Sequence, residues 1–201
     1  MKQKIILIGG GGHCKSCIDV IEQKETFQIA GIVDLPEKLH QKILGYEIIA
    51  TDDDLPQMLN EYENFLITLG QIKSPDKRIR IFQTLREIGA KLPVTISPLA
   101  YVSKHAKIGD GTIIMHHALI NAGAKIGENC IINTKALIEH DAIIGDHCHI
   151  ATGAIINGGV KVGSGIFFGS NAVCKEYIEI VEQTVIGCGA KITRDLPPQI
   201  T

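Results

Sequence analysis

From Ala100 to Asp195 the chain divides into sixteen consecutive six-residue blocks with no insertion or slip, opening AYVSKH, AKIGDG, TIIMHH, ALINAG and closing TVIGCG, AKITRD. The third position of every block is apolar: twelve Ile, two Val, Phe168 and Cys174. The first position is mostly Ala or another small residue. Self-similarity at a fixed period means stacked units, none of which can bury its apolar face alone. An α-helix would repeat at about 3.6 residues and an ordinary strand at about 2. A six-residue unit instead fits a short strand plus a turn, three units to a coil. Because side chains alternate along a strand, positions 1 and 3 share the inner face. Ile then lines the walls of a triangular prism, and Ala, Thr or Cys fills its corners.

An Ile-rich sandwich would not hold so strict a register. The pattern is the hexapeptide repeat, and it predicts an all-β left-handed parallel β-helix of about five coils over residues 98–201. Gly or Asn recurs at the fourth position (Gly109, Asn121, Gly127, Asn133, Gly145, Asn157, Gly163, Gly169, Gly187), where a left-handed turn backbone is expected.

Residues 1–97 read differently. The run KIILI (Lys4 to Ile8) is a buried strand, followed by Gly9-Gly10-Gly11-Gly12 and a helix from about His13 to Gln23. Further strands are predicted at Gln28 to Val33, Tyr46 to Ile49, Phe65 to Leu69 and Val94 to Ile96. Helices are predicted at Asp53 to Glu61 and Pro75 to Ile88. Alternation of strand and helix implies a parallel sheet with crossover helices, a Rossmann-like α/β domain. A glycine loop opening a helix presents backbone N–H groups and the positive end of the helix dipole to an anion. Asp34, at the end of the second strand, stands where an acid can accept ribose hydroxyls. The dinucleotide fingerprint fails at its third glycine, here Cys14, which favours a nucleotide-sugar over NAD. A glycine turn with no ligand is the plainer alternative.

A net charge of -2 offers no basic field for nucleic acid, and no apolar run is long enough to span a bilayer. The short apolar start runs directly into the glycine turn and does not read as a signal peptide, so a cytoplasmic protein is expected. Of the six cysteines, Cys130 and Cys148 take corner positions and Cys174 a wall position, as small buried hydrophobes. The C-x-x-C of Cys14 and Cys17 has no second pair, which argues against a zinc site.

Six histidines fall in the repeats: His105, His116, His117, His140, His147 and His149. His140 stands at an outward turn position directly before Asp141. Eighteen residues on, one coil higher, the same place is Gly158 in a Gly158-Gly159 pair. A base, a neighbouring carboxylate and a backbone donor are the components of acyl transfer.

With the glycine loop and the hexapeptide helix, the segment INTKALIEHDAIIGDHCHIATGA resembles the NeuD/PglD family of bacterial sugar acyltransferases, over nearly the whole chain. The resemblance implies acetyl-CoA as co-substrate and a homotrimer with active sites between adjacent β-helices. It implies His140 as the base, Asp141 as its supporting acid and Asn133 as a nearby polar group. His149 and Gly158 would lie near the acetyl group, with acetyl-CoA running past Ser170, Gly187 and Cys188. Gly11, Gly12, His13, Asp34 and Gly70 would hold the nucleotide-sugar, and no metal is implied. Two departures stand out. Leu35 follows Asp34 where a close relative carries a second acid. The chain ends Leu196-Pro-Pro-Gln-Ile-Thr201, without the G-x-P-A-[KR] tail that caps many such helices.

The expected reaction is acetylation of a nucleotide-linked amino sugar, of the UDP-4-amino-4,6-dideoxy type. O-acetylation of a sialic acid is the alternative. A non-catalytic sugar-nucleotide scaffold and a zinc-dependent carbonic anhydrase using His117, His140 and His147 are more distant ones.

Overall fold

The computed structural model describes residues 2–182 and 184–197. The first domain runs β1 (Gln3–Ile8), α1 (Gly12–Lys24), β2 (Phe27–Val33), β3 (Lys42–Ile43), β4 (Tyr46–Ala50), α2 (Leu55–Met58), β5 (Asn64–Ile67) and α3 (Asp76–Glu87). The sheet order is β3-β4-β2-β1-β5, parallel except for the β3–β4 hairpin. Order 4-2-1-5 with helical crossovers leaves the loop after β1 open at the carboxyl edge, where such sheets bind ligands. The helix expected over Asp53 to Glu61 is shorter. A 3-10 turn occupies Asp52–Asp54, capped by reciprocal Thr51–Asp54 bonds, before the single turn of α2.

Seventeen two-residue strands follow, Thr95–Ile96 and then one at positions 2 and 3 of each block, in three parallel sheets of six, five and six strands. Each strand pairs with that eighteen residues away, as Leu119–Ile120 does with Leu137–Ile138. This is the left-handed β-helix, with Ile114, Ile120, Ile132, Ile138, Ile150 and Ile156 fully buried inside and Ala or Cys at the corners. Thr95–Ile96, read above with the first domain, pairs with Ile113–Ile114 and lays down the first strand of the prism.

The turn chemistry differs from expectation. Every sixth-position residue from Gly111 to Tyr177 has φ between 52° and 78°, Asp141 (59°), His147 (59°) and Tyr177 (56°) among them. The fourth-position glycines do not; all but Gly187 are needed because the coils touch there. A Cβ on Gly145 would lie 2.7 Å from the Ser164 nitrogen and 2.8 Å from the Gly163 carbonyl carbon. Close approach, not left-handed backbone, selects glycine at that position.

The outward second positions give the prism three unlike faces. The first carries Thr95, Ile113, Ile131 and His149, buried against the α/β domain. Ile113, Met115 and Ile131 share one apolar cluster with Cys14, Cys17, Ile18 and Ile21 of α1 and with Ile5 and Leu7 of β1. Helices α2 and α3 cover the opposite side of the sheet. The second face carries Tyr101, Leu119, Leu137, Ile155 and Val173, apolar and uncovered in the single chain, and ends at Lys191 in the last strand. The third carries Lys107, Lys125, Ile143, Lys161 and Glu179, a solvated surface.

Polar ties help to lock the domains together. Arg78 of α3 is buried and donates to the carbonyls of Ile67, Leu69 (2.6 Å) and Asn129 (2.8 Å) and to Asn129 Oδ1 (2.6 Å). Burial pulls its pKa down to about 10, so it stays charged at neutral pH. His116 bridges the Ser97 hydroxyl (2.6 Å) and Asp19 of α1 (2.7 Å).

Candidate active site

A cleft of about 740 Å³ opens where the glycine loop faces the prism. Gly11, Gly12, His13 and Ser16 form one wall, Leu69 to Ile72 the roof, and Asn133, Thr134, His149 and Thr152 the other wall. That volume suits a small-molecule ligand. A Cβ on Gly11 or Gly12 would meet nothing within 4 Å, so the start of α1 is open to an incoming group. Five of the residues expected to bind substrate or co-substrate (Gly11, Gly12, His13, Gly70, His149) thus converge here, together with Asn133.

Asp34 does not line this cleft. Its carboxylate, 7% exposed, accepts from the Gly10 N–H (2.8 Å), its neighbour Leu35 N–H (2.8 Å) and Lys38 Nζ (3.1 Å). Its pKa is lowered: burial pushes up, but these backbone and lysine bonds outweigh it. Asp34 therefore braces the glycine loop from the end of β2.

The cleft's histidines are held neutral. His149 directs Nδ1 at the Gln71 carbonyl (2.7 Å), which fixes that nitrogen as the donor, and Nε2 accepts from Asn133 Nδ2 (3.1 Å). Burial, reinforced by the Arg78 charge, lowers its pKa to about 4 although the Gln71 bond opposes this. His13, 6.2 Å away between ring centroids, falls to about 3 through burial, then Arg78, then His149. Its Nε2 is buried without a hydrogen-bond partner. Gln71 and Arg78 had no sequence signal, since a backbone carbonyl on a loop and a buried arginine acquire these roles only from the domain packing.

His140 and Asp141 lie elsewhere, at the edge between the apolar and lysine faces; the cleft opens at the other edge of the apolar face. His140 Nδ1 stands 3.0 Å from Asp141 Oδ2, and the ring is half exposed. Its Nε2 side rests on Gly158 of the next coil. In neighbouring coils the corresponding N–H is claimed by the preceding side chain: Asn121 Oδ1 accepts from Ala122, and Glu139 Oε2 from His140. Asn157 instead turns its amide to the Cys174 carbonyl (2.8 Å). The Gly158 N–H is left unclaimed among the described residues. Imidazole, carboxylate and open backbone donor thus share one corner.

Ser170, Gly187 and Cys188 continue the cleft edge away from the α/β domain. Cys188 is exposed, and a Cβ on Gly187 or Gly189 would meet nothing within 4 Å, so this edge is a shelf with room for an extended chain. The other five cysteines are buried and free; burial raises the Cys17 thiol far above its ordinary value, which fits packing and not redox exchange. His117, His140 and His147 sit on three different edges of the prism, and no group of three metal-ligand side chains occurs among the described residues. Of the chain's last residues, 198–201 lie outside the described residues; Leu196 bridges to Ile180 and begins to cover the final coil.

An anion-ready α/β cleft set against a hexapeptide prism, with a histidine–carboxylate pair at its edge, defines a hexapeptide-repeat acyltransferase. The PglD N-terminal domain family matches residues 4–85, and the bacterial transferase hexapeptide family (six repeats) matches 105–140 and 123–158. PerB from Caulobacter crescentus, solved with CoA and GDP-perosamine, is 31% identical, with 96% of this chain and 90% of that one covered at a TM-score of 0.89. The acetyltransferase domain of PglB from Neisseria gonorrhoeae, solved with acetyl coenzyme A, is 29% identical over 98% and 94% of the chains, TM-score 0.89. WeeI from Acinetobacter baumannii shares the fold at 18% identity, with 100% and 96% covered and a TM-score of 0.69. No curated protein sequence gave a significant match. The chain belongs to the NeuD/PglD-like family of sugar acyltransferases.

Proposed function

We propose that this protein transfers the acetyl group of acetyl-CoA to the amine of a nucleotide-linked amino sugar, at sites shared between copies of the chain in a homotrimer. The observation that carries the reading is the division of the chemistry. The cleft that fits a nucleotide-sugar contains only histidines held neutral far below their ordinary pKa, whereas the one exposed histidine–carboxylate pair of the prism among the described residues lies across the apolar face. A cyclic assembly packed through the face of Tyr101, Leu119, Leu137, Ile155 and Val173 sets one edge of each prism against the opposite edge of the next. That brings His140 of one copy to the cleft of its neighbour and leaves no apolar face exposed.

In this arrangement Gly11, Gly12 and the start of α1 receive the diphosphate, and Gly70 to Ile72 close over the sugar. Ser170, Gly187 and Cys188 border the shelf for acetyl-CoA. The sugar nitrogen attacks the thioester carbon and forms the N–C bond. His140 Nε2 takes the nitrogen's proton while Nδ1–H donates to Asp141, and the Gly158 N–H meets the oxyanion. Collapse breaks the C–S bond, and the thiol of CoA leaves with the proton returned by His140. The Caulobacter perosamine N-acetyltransferase has been solved with a single histidine replaced by asparagine or by alanine, in line with a histidine at the centre of that enzyme. A cytoplasmic setting belongs to the same reading, because both substrates are cytoplasmic metabolites.

The test is thiol release from acetyl-CoA with UDP- and GDP-linked 4-amino sugars, CMP-sugars and free sialic acids as acceptors. Turnover with an amino-sugar nucleotide, lost by about 10²- to 10⁴-fold in His140→Ala with assembly intact, supports the proposal. Turnover only with sialic acid assigns O-acetylation instead, and no release with any acceptor leaves a binding module.

A further inference from the structure

Tyr177 occupies a position that costs the chain backbone energy and gives it little packing in return. It is the sixth residue of its block, with φ of 56°, and the twelve other described blocks with a left-handed sixth residue place Gly, Asn, Asp, His or Lys there. A bulky aromatic in the left-handed region is unfavourable, and such strain collects at functional sites. The side chain is not buried in compensation: the residue is 73% exposed, the most exposed of the large hydrophobics among the described residues.

Its placement is specific. Asp141, Gly159 and Tyr177 are spaced by eighteen residues and stack along one edge of the prism. The Tyr177 ring folds back over Gly159, so that a Cβ there would collide with it, just as a Cβ on Gly158 would collide with His140. Two adjacent glycines thus carry two rings, the base on one side and an exposed phenol on the other, around the unclaimed Gly158 N–H.

We propose that Tyr177 is a positioning residue for the acyl donor: its ring forms a wall against which the pantetheine–thioester end of acetyl-CoA packs beside His140. This rests on the shared-site arrangement above, in which the His140 edge faces the neighbour's Thr152, Ser170 and Cys188. An aromatic face suits that ligand because the pantetheine arm is a flexible chain of methylenes and amides that must be fixed before attack.

The experiment compares wild type, Tyr177→Asn and Tyr177→Phe by calorimetric titration with acetyl-CoA, alongside melting temperature and light-scattering mass. Asn relaxes the left-handed backbone, so Tyr177→Asn should melt no lower than wild type and keep the same mass. It should bind acetyl-CoA about tenfold more weakly, the size of one lost aromatic contact, with Tyr177→Phe restoring affinity. Binding by Tyr177→Asn within twofold of wild type would overturn the inference and leave the acetyltransferase reading standing. Loss of trimer mass would assign the ring to subunit contact and also overturn it. Failure of wild type to bind acetyl-CoA would remove both readings together.

Discussion

The imidazole of His140 lies directly on Gly158 of the next coil: a Cβ built there would stand 2.6 Å from Nε2 and 2.7 Å from Cε1. Glycine at 158 is therefore a condition on where the base can sit. Because the ring is half exposed, it can swing aside without disturbing the prism. Gly158→Ala should keep the wild-type melting temperature and assembly while lowering kcat by about 10²-fold, as for a base moved by an ångström. Unchanged kcat in Gly158→Ala would separate the stacking from catalysis.

Asp141 combines two demands at one position. Its φ of 59° needs a residue that tolerates left-handed backbone, and its carboxylate holds His140 Nδ1 at 3.0 Å. Asn satisfies the first demand and removes the charge from the second. Asp141→Asn should fold normally and lose about ten- to hundredfold in kcat, less than for a buried triad carboxylate because Asp141 is largely solvated. Asp141→Ala should lose stability as well as rate, which a thermal melt run beside the kinetics would register.

The prism was legible in the sequence down to individual strands, because a six-residue period fixes wall and corner positions at once. The His140–Gly158 stack followed from the same arithmetic. What the period could not show was which turn residue bends left: Gly145 looked like a turn glycine but is small because Ser164 passes over it, while Asp141 and Tyr177 take the left-handed angles. Asp34 was placed correctly at its strand end. Its bonds to the Gly10 N–H and Lys38 Nζ, which tie it to the glycine loop, were not legible. Gln71 and Arg78 were silent for a different reason. Their roles arise where residues about fifty to eighty apart meet across two domains, and no local pattern encodes that.

The two buried cleft histidines predict a pH dependence of stability. Their folded pKa values, about 3 for His13 and about 4 for His149, lie below the ordinary 6.5. Unfolded chains therefore bind more protons than folded ones below about pH 6.5, and stability rises with pH in that range. Neutral-pH stability should be lost progressively as pH falls from about 6.5 towards 4. The melting temperature should plateau above that window, and His149→Gln should reduce the slope by about one proton. A flat profile from about pH 7 to 4.5 would mean that neither ring is held neutral by burial.

Gly145 and Gly187 occupy the same place in their blocks but meet different surroundings. A Cβ on Gly145 would press on the Ser164 and Gly163 backbone, whereas one on Gly187 would meet nothing within 4 Å. Gly145→Ala must push adjacent coils apart and should cost about 1–3 kcal/mol. Gly187→Ala should be near neutral. Paired denaturant melts check this, and equal losses would mean that glycine is needed here for backbone angle after all.

If the active site is shared between copies, two inactive chains can repair one another. His140→Ala removes the base but leaves its own cleft intact. Gly12→Glu, at a position with open space on the cleft side, puts a carboxylate where a diphosphate would sit and leaves His140 intact. Each variant alone should be nearly inactive. In mixed trimers a site joining the cleft of a His140→Ala chain to the His140 of a Gly12→Glu chain is whole. Random mixing makes about one site in four of this kind, so co-expression should recover about a quarter of wild-type activity. Purification through tags on both chains should retain that activity in the doubly tagged fraction. Sites contained within single chains would give no recovery at any mixing ratio, and the base would then have to be sought among the residues of the cleft itself.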